Sequence, residues 1–519
     1  MEDKEINPID KEERDKIIKT EGNICVLASA GSGKTSILVK KLEFDIEKEK
    51  DYYNFVAITF TNKAAAELRD KIVKKGRVFI GTIDSFLEKE IIDIFIKSIE
   101  DNIPEKFYYS YQKKDKFYNY NDGLKKLKEY KIFGTYDNDI QKLGKNFKCE
   151  LALELLKKSV RVQEYLKYKY KKIFIDEYQD SDQGMHELFC YFAKELGIKL
   201  FIVGDDKQSI YGWRGAKVQN FKNIVENKIE KISFNIFRLH HNFRSHINIT
   251  LFSQILSEKN IEKIEKTNEK VIFYKKSTGN KKEDIQDIIK KQKIDLKKSI
   301  LVLIGNNKDI KSISSGLIEI DSDFKVIKRD ILNDCPNFFL LEQIAKYYFD
   351  KDYSEYDFMN TFLFREYTKK EVSEIGEKLR KLSEKLDLQI IQEIFEYFDI
   401  EIQTVENNKK IVKENEILLE VLSNDSNKIF YIKEAKKPKH IMTTHSSKGL
   451  EYDQVIIFCD YYIDRYSKKL KIEENYVGIT RAKEKLFLIE EDKANTYKNI
   501  VEKKMQEKEY KFEDFIECL

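Results

Sequence analysis

Short runs of apolar residues, each bounded by polar or turn-forming residues, recur along the first half of the chain. They cover residues 24–27, 55–58, 78–80, 172–175 and 200–203, and helix-like stretches such as residues 64–74 lie between them. Continuous apolar runs of this length are typical of parallel strands that are buried on both faces. The alternation of strands with helices predicts an α/β fold built on a parallel sheet.

A second set of apolar runs predicts a second lobe of the same kind. These runs cover residues 300–304, 455–458 and 486–489. Each set is interrupted by a segment that reads as helical, and residues 371–386 show the clearest helical periodicity. We therefore predict two α/β lobes, with parallel sheets flanked by helices, and two short, mainly helical insertions. The predicted division is a first lobe at 1–88 and 161–238 around an insertion at 89–160, and a second lobe at 239–351 and 436–519 around an insertion at 352–435.

Composition excludes several classes of protein. The 519 residues are too many for one hydrophobic core, and 4 prolines and 19 glycines argue against long disordered linkers. The 6 cysteines are scattered without a Cys-x-x-Cys pair, so we expect neither a zinc site nor a disulfide framework. The polar N-terminus and the lack of a long apolar run predict a cytoplasmic protein. A net charge of +4 is too small to indicate nucleic-acid binding by itself.

The strongest chemical signal follows the first apolar run. Residues 28–35 read Ala-Ser-Ala-Gly-Ser-Gly-Lys-Thr and lead from a predicted strand into a predicted helix. The backbone N–H groups of such a turn, together with the helix dipole, can surround a triphosphate. Lys34 can reach the β- and γ-phosphates and Thr35 can ligate Mg²⁺. Ala28 stands where the strict pattern has glycine, and the alternative of a chance Gly-rich turn is disfavoured by the strand before it.

Two further predicted strands end in residues that suit phosphoryl transfer. Asp176 can hold the Mg²⁺ shell, and Glu177 can orient or deprotonate the attacking water. Gln208 can hydrogen-bond a γ-phosphate or that water. Arg244 and Arg481 are candidates for stabilising the transition state, since a guanidinium matches a phosphoryl group in charge and shape. The alternative for the acidic pair is a solvated turn, which the neighbouring P-loop disfavours. In isolation, each arginine would more often be a surface residue.

The only tryptophan of the chain, Trp213, follows Tyr211 in a loop-like sequence. A single tryptophan is more often a core residue than a ligand-binding residue. The flanking Gly212, Arg214 and Gly215 favour instead an exposed platform on which the bases of a single strand stack.

The order of these motifs resembles superfamily 1A helicases of the UvrD/Rep/PcrA type. Residues 59–68 resemble motif Ia of that family, residues 81–85 its Gly-Thr-Phe-His-Ser element with Asp84 in place of histidine, and residues 239–245 its motif IV. Thr-His-Ser-Ser-Lys-Gly-Leu-Glu at 444–451 and Gly-Ile-Thr-Arg-Ala at 478–482 complete the series. The resemblance implies two RecA-like P-loop lobes, ATP as the substrate, Mg²⁺ as the cofactor, and single-stranded DNA or DNA ends as a partner.

The resemblance also implies a role for each matching residue. The expected catalytic residues are Glu177, Gln208 and the arginine fingers Arg244 and Arg481, with Thr35 and Asp176 at Mg²⁺. The expected nucleotide-binding residues are Ala28, Ser29, Ala30, Gly31, Ser32, Gly33, Lys34, Thr35, Ser36, Phe243 at the base and Glu451 at the ribose. The expected DNA-binding residues are Phe60, Thr61, Asn62, Tyr211, Trp213 and His445.

Two departures from the family pattern change the expectation. The family reads adenine with a glutamine upstream of the P-loop, whereas this chain has no glutamine before Gln112 and has Glu13 or Lys16 at that place. Base choice would then rest on stacking by Phe243. Both insertions are short for the family, which favours sensing or short-range translocation over processive unwinding.

Several local sequences resemble the helicase-like subunits of bacterial Gabija anti-phage defence systems. They are Glu-Gly-Asn-Ile before the P-loop, Asp-Glu-Tyr-Gln-Asp-Ser-Asp from Asp176 onward, and residues 201–216. This resemblance implies a hetero-oligomer with an OLD-family nuclease subunit (GajA-like). We predict a DNA-dependent NTPase of helicase type. The alternative is a regulatory or assembly subunit that senses nucleotide with little or no DNA unwinding, while Trp213 and the late motifs disfavour a small-molecule kinase.

One further segment keeps two interpretations. Residues 107–120 interleave Phe and Tyr with Lys. Such a sequence can stack bases or bind a partner. We favour packing of these aromatic side chains against the helices of their own insertion.

Overall fold

The computed structural model describes residues 8–73, 77–98, 108–109, 116–130, 132–258, 266–305, 307–327, 330–362, 367–407, 410–432 and 438–519. Its strands are β1 (Ile24–Ala28), β2 (Asn54–Thr59), β3 (Val78–Thr82), β4 (Tyr108–Tyr109), β5 (Ile132–Phe133), β6 (Tyr170–Ile175), β7 (Lys199–Gly204), β8 (Asn235–Leu239), β9 (Ile272–Lys276), β10 (Ile300–Ile304), β11 (Phe324–Val326), β12 (Thr404–Asn407), β13 (Lys410–Lys413), β14 (Lys439–Thr443), β15 (Tyr452–Phe458), β16 (Ala482–Glu490) and β17 (Ile516–Cys518). Its α-helices are α1 (Lys11–Lys19), α2 (Lys34–Lys48), α3 (Asn62–Lys71), α4 (Ile83–Leu87), α5 (Asp93–Phe95), α6 (Tyr120–Tyr130), α7 (Asn138–Lys142), α8 (Phe147–Lys158), α9 (Val160–Lys169), α10 (Gln183–Lys194), α11 (Val218–Val225), α12 (Ile247–Ser257), α13 (Lys281–Lys290), α14 (Asn307–Ile320), α15 (Phe338–Phe349), α16 (Glu355–Phe362), α17 (Lys369–Glu384), α18 (Leu388–Tyr397), α19 (Glu414–Leu422), α20 (Ile472–Ile479), α21 (Thr496–Gln506) and α22 (Phe512–Phe515).

The first lobe is built on a six-stranded sheet with the order β3-β2-β6-β7-β1-β8. Its neighbouring strands pair in parallel. The central strands are buried along almost their whole length because their side chains are apolar on both faces. The carboxyl ends of β6, β7 and β1 therefore lie side by side at one edge, where ligands bind open α/β sheets.

The second lobe repeats this architecture with a seven-stranded sheet in the order β11-β14-β10-β15-β16-β9-β17. Its strands also pair in parallel. Strand β15 is buried at every position, and helices α12 and α21 pack into the same core. The predicted fold class, two parallel α/β lobes with mainly helical insertions, is confirmed.

The two insertions differ in how they are held. The first packs around Phe117, Phe133 and Phe147, and this cluster is continuous with the core of the first lobe. The second has its own core, in which Leu341 of α15 and Val421 of α19 take part. That core begins N-terminal to the predicted bound at residue 352, and strand β8 of the first sheet ends at Leu239. The division into domains at the predicted residue numbers stays a prediction.

Helix boundaries follow capping chemistry that the apolar pattern does not show. The helix predicted at 64–74 is α3, which begins at Asn62 because the side chain of Thr61 accepts from the N–H of Ala64, and ends at Lys71. The helix predicted at 371–386 is α17, whose capping box joins Thr368 to Glu371. Much of the aromatic stretch 107–120 lies outside the described residues. Among the described residues, no helix is both long and apolar enough to cross a bilayer.

Candidate nucleotide and DNA sites

The P-loop, between β1 and α2, is shaped by two glycines. Gly31 (φ 76°) and Gly33 (φ 80°) adopt the left-handed backbone conformation that residues with side chains rarely take. A Cβ atom at Gly31 would also lie 2.5 Å from Oδ1 of Asn242 and 2.8 Å from Cβ of Arg244. The loop is thus packed closely against the segment that follows β8.

Hydrogen bonds within the P-loop segment stabilise its conformation. The buried hydroxyl of Ser32 donates to the carbonyl of Ser29 at 2.7 Å, and Nζ of Lys34 donates to the carbonyl of Ala28 at 3.3 Å. Ala28 and Ser32 are buried beneath the loop. The predicted residues of this segment that line the adjoining cleft, of about 570 Å³, are Ser29, Ala30, Gly31, Gly33, Lys34, Thr35 and Ser36.

Asp176 and Glu177 follow β6 and face the P-loop. Oγ1 of Thr35 donates to Oδ2 of Asp176 at 2.8 Å. Glu177 has φ 54°, a strained backbone conformation of the kind that proteins retain at functional sites. Its N–H donates to Oδ1 of Asp176 at 2.9 Å. The turn therefore fixes the two carboxylates relative to each other and to the P-loop.

The charges around this pair separate the two carboxyl groups. Burial, and then the adjacent charge of Glu177, raise the pKa of Asp176 to about 6. Burial acts in the same direction on Glu177, but Lys34 and Lys448 outweigh it and hold the pKa of Glu177 below its ordinary value. The pKa of Glu177 therefore lies below that of Asp176, and Glu177 stays ionised down to a lower pH than its neighbour.

The oxygen atoms of Thr35 and Asp176 fit the chemistry of Mg²⁺. This ion prefers oxygen ligands and is commonly held by one or two protein groups together with phosphates and water. Among the described residues, no cluster of three or more His, Cys, Asp or Glu side chains could enclose a metal by itself. The donor set therefore fits a nucleotide-bound Mg²⁺ ion.

Gln208 lies in the turn after β7, where a residue of the second lobe also reaches. The Gln208 amide donates to Oδ2 of Asp205 at 2.7 Å. The hydroxyl of Tyr476 donates to the same carboxylate oxygen at 3.3 Å and accepts from the N–H of Ala30 at 3.2 Å. Tyr476 of the second lobe thus contacts the P-loop and, through Asp205, the Gln208 turn together.

The two predicted arginine fingers are held by groups of the second lobe. Nε of Arg244 donates to Oε2 of Glu451 at 2.7 Å, and the other oxygen of Glu451 pairs with Lys483 at 2.7 Å. Arg481 is buried, with its guanidinium bonded to backbone carbonyls of its own lobe. Burial, and then the nearby Arg244, lower the pKa of Arg481 to about 9. Both arginines line the same cleft as the P-loop.

Lys448 joins the two lobes at the centre of the cleft. Its Nζ lies 2.5 Å from Oδ2 of Asp180 and donates to the carbonyl of Gln208 at 3.0 Å. It also lies 3.9 Å from Oε2 of Glu177 and 4.9 Å from the centroid of the Tyr211 ring. One ammonium group therefore contacts both the predicted hydrolytic carboxylate and the predicted DNA surface.

Phe243 lies at the side of the cleft near α1, with 44% of its surface exposed. The guanidinium of Arg14 lies 5.0 Å from the centroid of this ring. Arg14 is fixed by Asp10 at 2.6 Å and donates to the carbonyl of Ser32 at 2.8 Å. Helix α1 thus contacts the P-loop through Arg14, the neighbour of Glu13.

Three rings of the predicted DNA-binding set form one cluster between the lobes. The ring centroids of Tyr211, Trp213 and His445 lie 6.3–6.5 Å apart. Trp213 has 56% of its surface exposed, and Arg214 lies 4.5 Å from its centroid. An exposed aromatic cluster beside a guanidinium has the chemistry that base stacking requires, and DNA binding by these residues stays a prediction. Trp213 is therefore not a core residue.

The remaining predicted DNA-binding residues lie beside this cluster at the start of α3. Phe60 and Thr61 line the cavity next to Trp213. The Asn62 amide instead donates to the carbonyls of Asn333 and Cys335 at 3.2 and 3.4 Å. Asn62 thus contacts the segment leading into the second insertion.

Sequence reasoning missed four residues of this site, which are Arg14, Asp180, Lys448 and Tyr476. Asp180 lies in the motif that begins at Asp176, and Lys448 lies in the motif at 444–451. The sequence does not indicate that these two side chains are in contact. The ion pair joins positions separated by 268 residues. For Arg14, the only hint in the sequence was the presence of a basic residue shortly before the P-loop.

Comparison with known proteins agrees with this geometry. Residues 9–152 and 85–229 match the model of the UvrD/REP helicase N-terminal domain, and residues 439–489 match that of the UvrD-like helicase C-terminal domain. The chain is 38% identical to Gabija protein GajB of Bacillus cereus (strain VD045) over 509 residues. This alignment covers 95% of this chain and 98% of GajB.

Longer helicases match over part of the chain. DNA helicase II of Escherichia coli (strain K12) is 28% identical over 301 residues, covering 49% of this chain and 41% of that protein. ATP-dependent DNA helicase PcrA of Staphylococcus aureus (strain Mu50 / ATCC 700699) is 28% identical over 345 residues, covering 56% of this chain and 46% of that protein. These matches span less than half of either helicase. With matches to models of both helicase domains and a similar protein along nearly its whole length, the chain belongs to the UvrD-like helicase family.

Proposed function

We propose that this protein is a DNA-dependent NTPase of helicase type that hydrolyses ATP between its lobes and couples hydrolysis to single-stranded DNA. The observation that carries the proposal is the position of Lys448. Its ammonium lies 3.9 Å from Glu177 and 4.9 Å from the ring centroid of Tyr211. A strand that stacks on Tyr211 would change the surroundings of a charge that faces the hydrolytic carboxylate.

The first lobe would bind the nucleotide. The P-loop N–H groups and Lys34 would hold the phosphates, and Thr35 with Asp176 would hold Mg²⁺, which neutralises charge on the phosphate oxygens. Glu177, which is ionised because its pKa lies below the ordinary value, would orient the attacking water and accept its proton as the bond to phosphorus forms. Gln208 would turn from Asp205 toward that water.

The second lobe would supply positive charge to the transition state. Arg244 would exchange its bond with Glu451 for one with the γ-phosphate, and Glu451 would then be free to accept from the ribose. Arg481 is already placed in the cleft wall by its backbone partners. Hydrolysis would therefore require both lobes to be closed on the nucleotide.

The test is steady-state ATP hydrolysis by the full chain with and without a single-stranded oligonucleotide. Stacking is worth about 1–3 kcal/mol per base, so we expect DNA to raise kcat/KM by about 5- to 150-fold. Lys34→Ala should abolish hydrolysis with and without DNA. Equal rates with and without DNA would contradict the proposed coupling and leave a DNA-independent NTPase.

We further propose that the protein acts as a subunit of a Gabija-type defence complex with an OLD-family nuclease. The similarity to GajB over 95% of the chain supports this assignment. The insertions are the proposed docking surfaces, since the motor lobes must open and close around nucleotide. Co-expression with a neighbouring OLD-family nuclease gene should yield a co-purifying assembly. Removing residues 107–120 should weaken the assembly more than Lys34→Ala does. Failure of the two proteins to co-purify at moderate salt would contradict the proposed defence complex.

A regulatory role with little or no unwinding is the second candidate. It is favoured by the contact of Asn62, a predicted DNA-binding residue, with the carbonyls of Asn333 and Cys335. The discriminating measurement is strand displacement on short duplexes with a single-stranded tail at either end. ATP hydrolysis stimulated by the tailed duplex without displaced strand would support the regulatory role.

A further inference from the structure

A further contact between the lobes reaches the turn that carries Gln208. Nζ of Lys207, the residue before Gln208, pairs with Oε1 of Glu258, and the two side chains are 17% and 26% exposed. Nζ of Lys207 also lies 5.4 Å from the centroid of the Tyr476 ring. Both members of the ion pair line a cavity of about 780 Å³ rather than the nucleotide cleft. The pair therefore has no direct access to a nucleotide in that cleft.

Lys207 and Gln208 are held by the same carboxylate. They belong to a single 3₁₀ turn, Asp206–Gln208, which follows β7. Asp205 caps this turn, accepting from the N–H of Lys207 at 3.2 Å and from the side-chain amide of Gln208 at 2.7 Å. A displacement of Lys207 would therefore be passed to the Gln208 side chain.

Glu258 follows helix α12, and Arg244 lies just before the same helix. Helix α12 covers Ile247–Ser257, which is 11 residues and about 16 Å along its axis. The side chains of Leu251 and Phe252 bury it in the core of the second lobe. One helix of the second lobe thus connects a predicted arginine finger with the Gln208 turn.

Hydrogen bonds fix both ends of α12. At the first end, the hydroxyl of Ser245 donates to a carbonyl of β16 at 2.7 Å. At the other end, Nζ of Lys504 donates to the carbonyl of Leu256 at 2.8 Å. Nζ of Lys508 donates to the carbonyl of Glu258 at 2.5 Å. Lysine side chains at the last carbonyls of a helix satisfy these acceptors and complement the helix dipole. The helix is therefore a stiff connection between its two ends.

We propose that the ion pair of Lys207 and Glu258 is a positioning contact, through which α12 sets Gln208 relative to Arg244. The inference rests on the proposed NTP hydrolysis and adds two residues that act on it without touching the nucleotide. Closure of the second lobe would move Arg244 and α12 together, and the ion pair would carry that movement to Gln208. A misplacement of about 1 Å can cost about a hundredfold in rate, so the effect is measurable.

The chain offers a matched ion pair without this connection. Lys281 and Glu491 lie 2.7 Å apart, and their side chains are 21% and 32% exposed. Chemistry and burial thus resemble those of the pair of Lys207 and Glu258, but both partners belong to the second lobe. Lys281→Met is therefore the control for the loss of a half-buried ion pair.

The test measures ATP hydrolysis by the full chain with a saturating single-stranded oligonucleotide. Lys207→Met keeps an unbranched side chain and removes its charge, so kcat should fall by about 10- to 100-fold, with KM for ATP within about twofold. Glu258→Gln should lower kcat to the same extent, and the double variant should lower it no further, because the two residues act as one contact. Lys207→Arg keeps the charge and should keep most of the wild-type kcat. Lys281→Met should leave kcat unchanged.

A Gln208→Ala background separates positioning from stability. Lys207→Met has no glutamine to position there, so its further effect on kcat should be below about twofold. Release of labelled phosphate in single-turnover reactions makes rates far below that of the wild type readable. Thermal unfolding checks the fold of each variant, and Glu258→Gln, which keeps the shape of its side chain, carries the same comparison if Lys207→Met does not fold.

Three results would overturn the inference while leaving NTP hydrolysis intact. The first is a lower melting temperature with an unchanged kcat, which would make the pair structural. The second is a raised KM for ATP with an unchanged kcat. The third is an equal loss from Lys207→Met with and without Gln208. If the wild-type chain hydrolyses no NTP, the proposed function fails and this inference fails with it.

Discussion

The two lobes share one architecture but present opposite charges to the cleft. The first lobe contributes carboxylates at its strand ends, which are Asp176, Glu177 and Asp180. The second lobe contributes the cations Lys448, Arg481 and Lys483, and its Glu451 holds a fourth cation, Arg244. The first lobe adds the cations Lys34 and Lys71, but most of the positive charge that lines the cleft depends on the second lobe. The difference teaches that neither lobe is a complete catalyst and that closure assembles the site.

The largest effect should come from breaking the acidic side of this comparison. Glu177→Gln keeps the shape of the side chain but cannot accept a proton, so kcat should fall by about 10³- to 10⁴-fold while nucleotide binding is retained. Turnover and binding of a labelled nucleotide measure the two effects. The control is Glu187→Gln, an exposed carboxylate on α10. Near wild-type turnover in Glu177→Gln would show that another group activates the water.

The cationic side should be next in size. Arg244→Ala removes a guanidinium that can reach the γ-phosphate, so kcat should fall by about 10³-fold, the lower end of the range for arginine fingers. Arg465→Ala, at an exposed position of the same lobe, is the matched control. A variant that loses affinity for nucleotide but keeps kcat would mean that Arg244 contributes only to binding.

The DNA surface should show a smaller and more selective effect. Trp213→Ala removes one stacking platform worth about 1–3 kcal/mol, so DNA-stimulated turnover should fall by about 5- to 150-fold. DNA-free turnover should hardly change, since Trp213 is exposed and lies outside the nucleotide cleft. Tyr466→Ala, at a ring that is 96% exposed, is the control. An equal loss with and without DNA would assign Trp213 a structural role.

The smallest difference should be that between nucleotides. The chain lacks a glutamine before Gln112, and stacking on Phe243 suits any purine. GTP or dATP should therefore support hydrolysis within about tenfold of ATP, a gap of about 1.4 kcal/mol. Competition between the nucleotides in one assay measures this ratio directly. A preference for ATP above about a hundredfold would contradict the expectation and point to another reader of adenine, with Arg14 beside the Phe243 ring as the first residue to examine.

What the sequence predicted well was local. Buried parallel strands read as apolar runs, and the residues at their ends follow directly, which is why Thr35, Asp176 and Gln208 could be placed at one sheet edge. The contacts of Lys448 and Tyr476 could not be predicted in this way, because each depends on how one lobe sits on the other. The hydrogen bonds of Asn62 could not be predicted either, because they join α3 to the distant segment that leads into the second insertion.

The close approach at Gly31 has a consequence for experimental design. Any side chain there would press on Asn242 and on Arg244, whose guanidinium is bonded to Glu451 of the other lobe. A Gly31→Ala lesion would therefore be a compound defect, altering phosphate binding and the seating of a transition-state cation in one step. Lys34→Ala is the cleaner way to obtain an inactive protein for genetic complementation, since it shortens a side chain without displacing its neighbours.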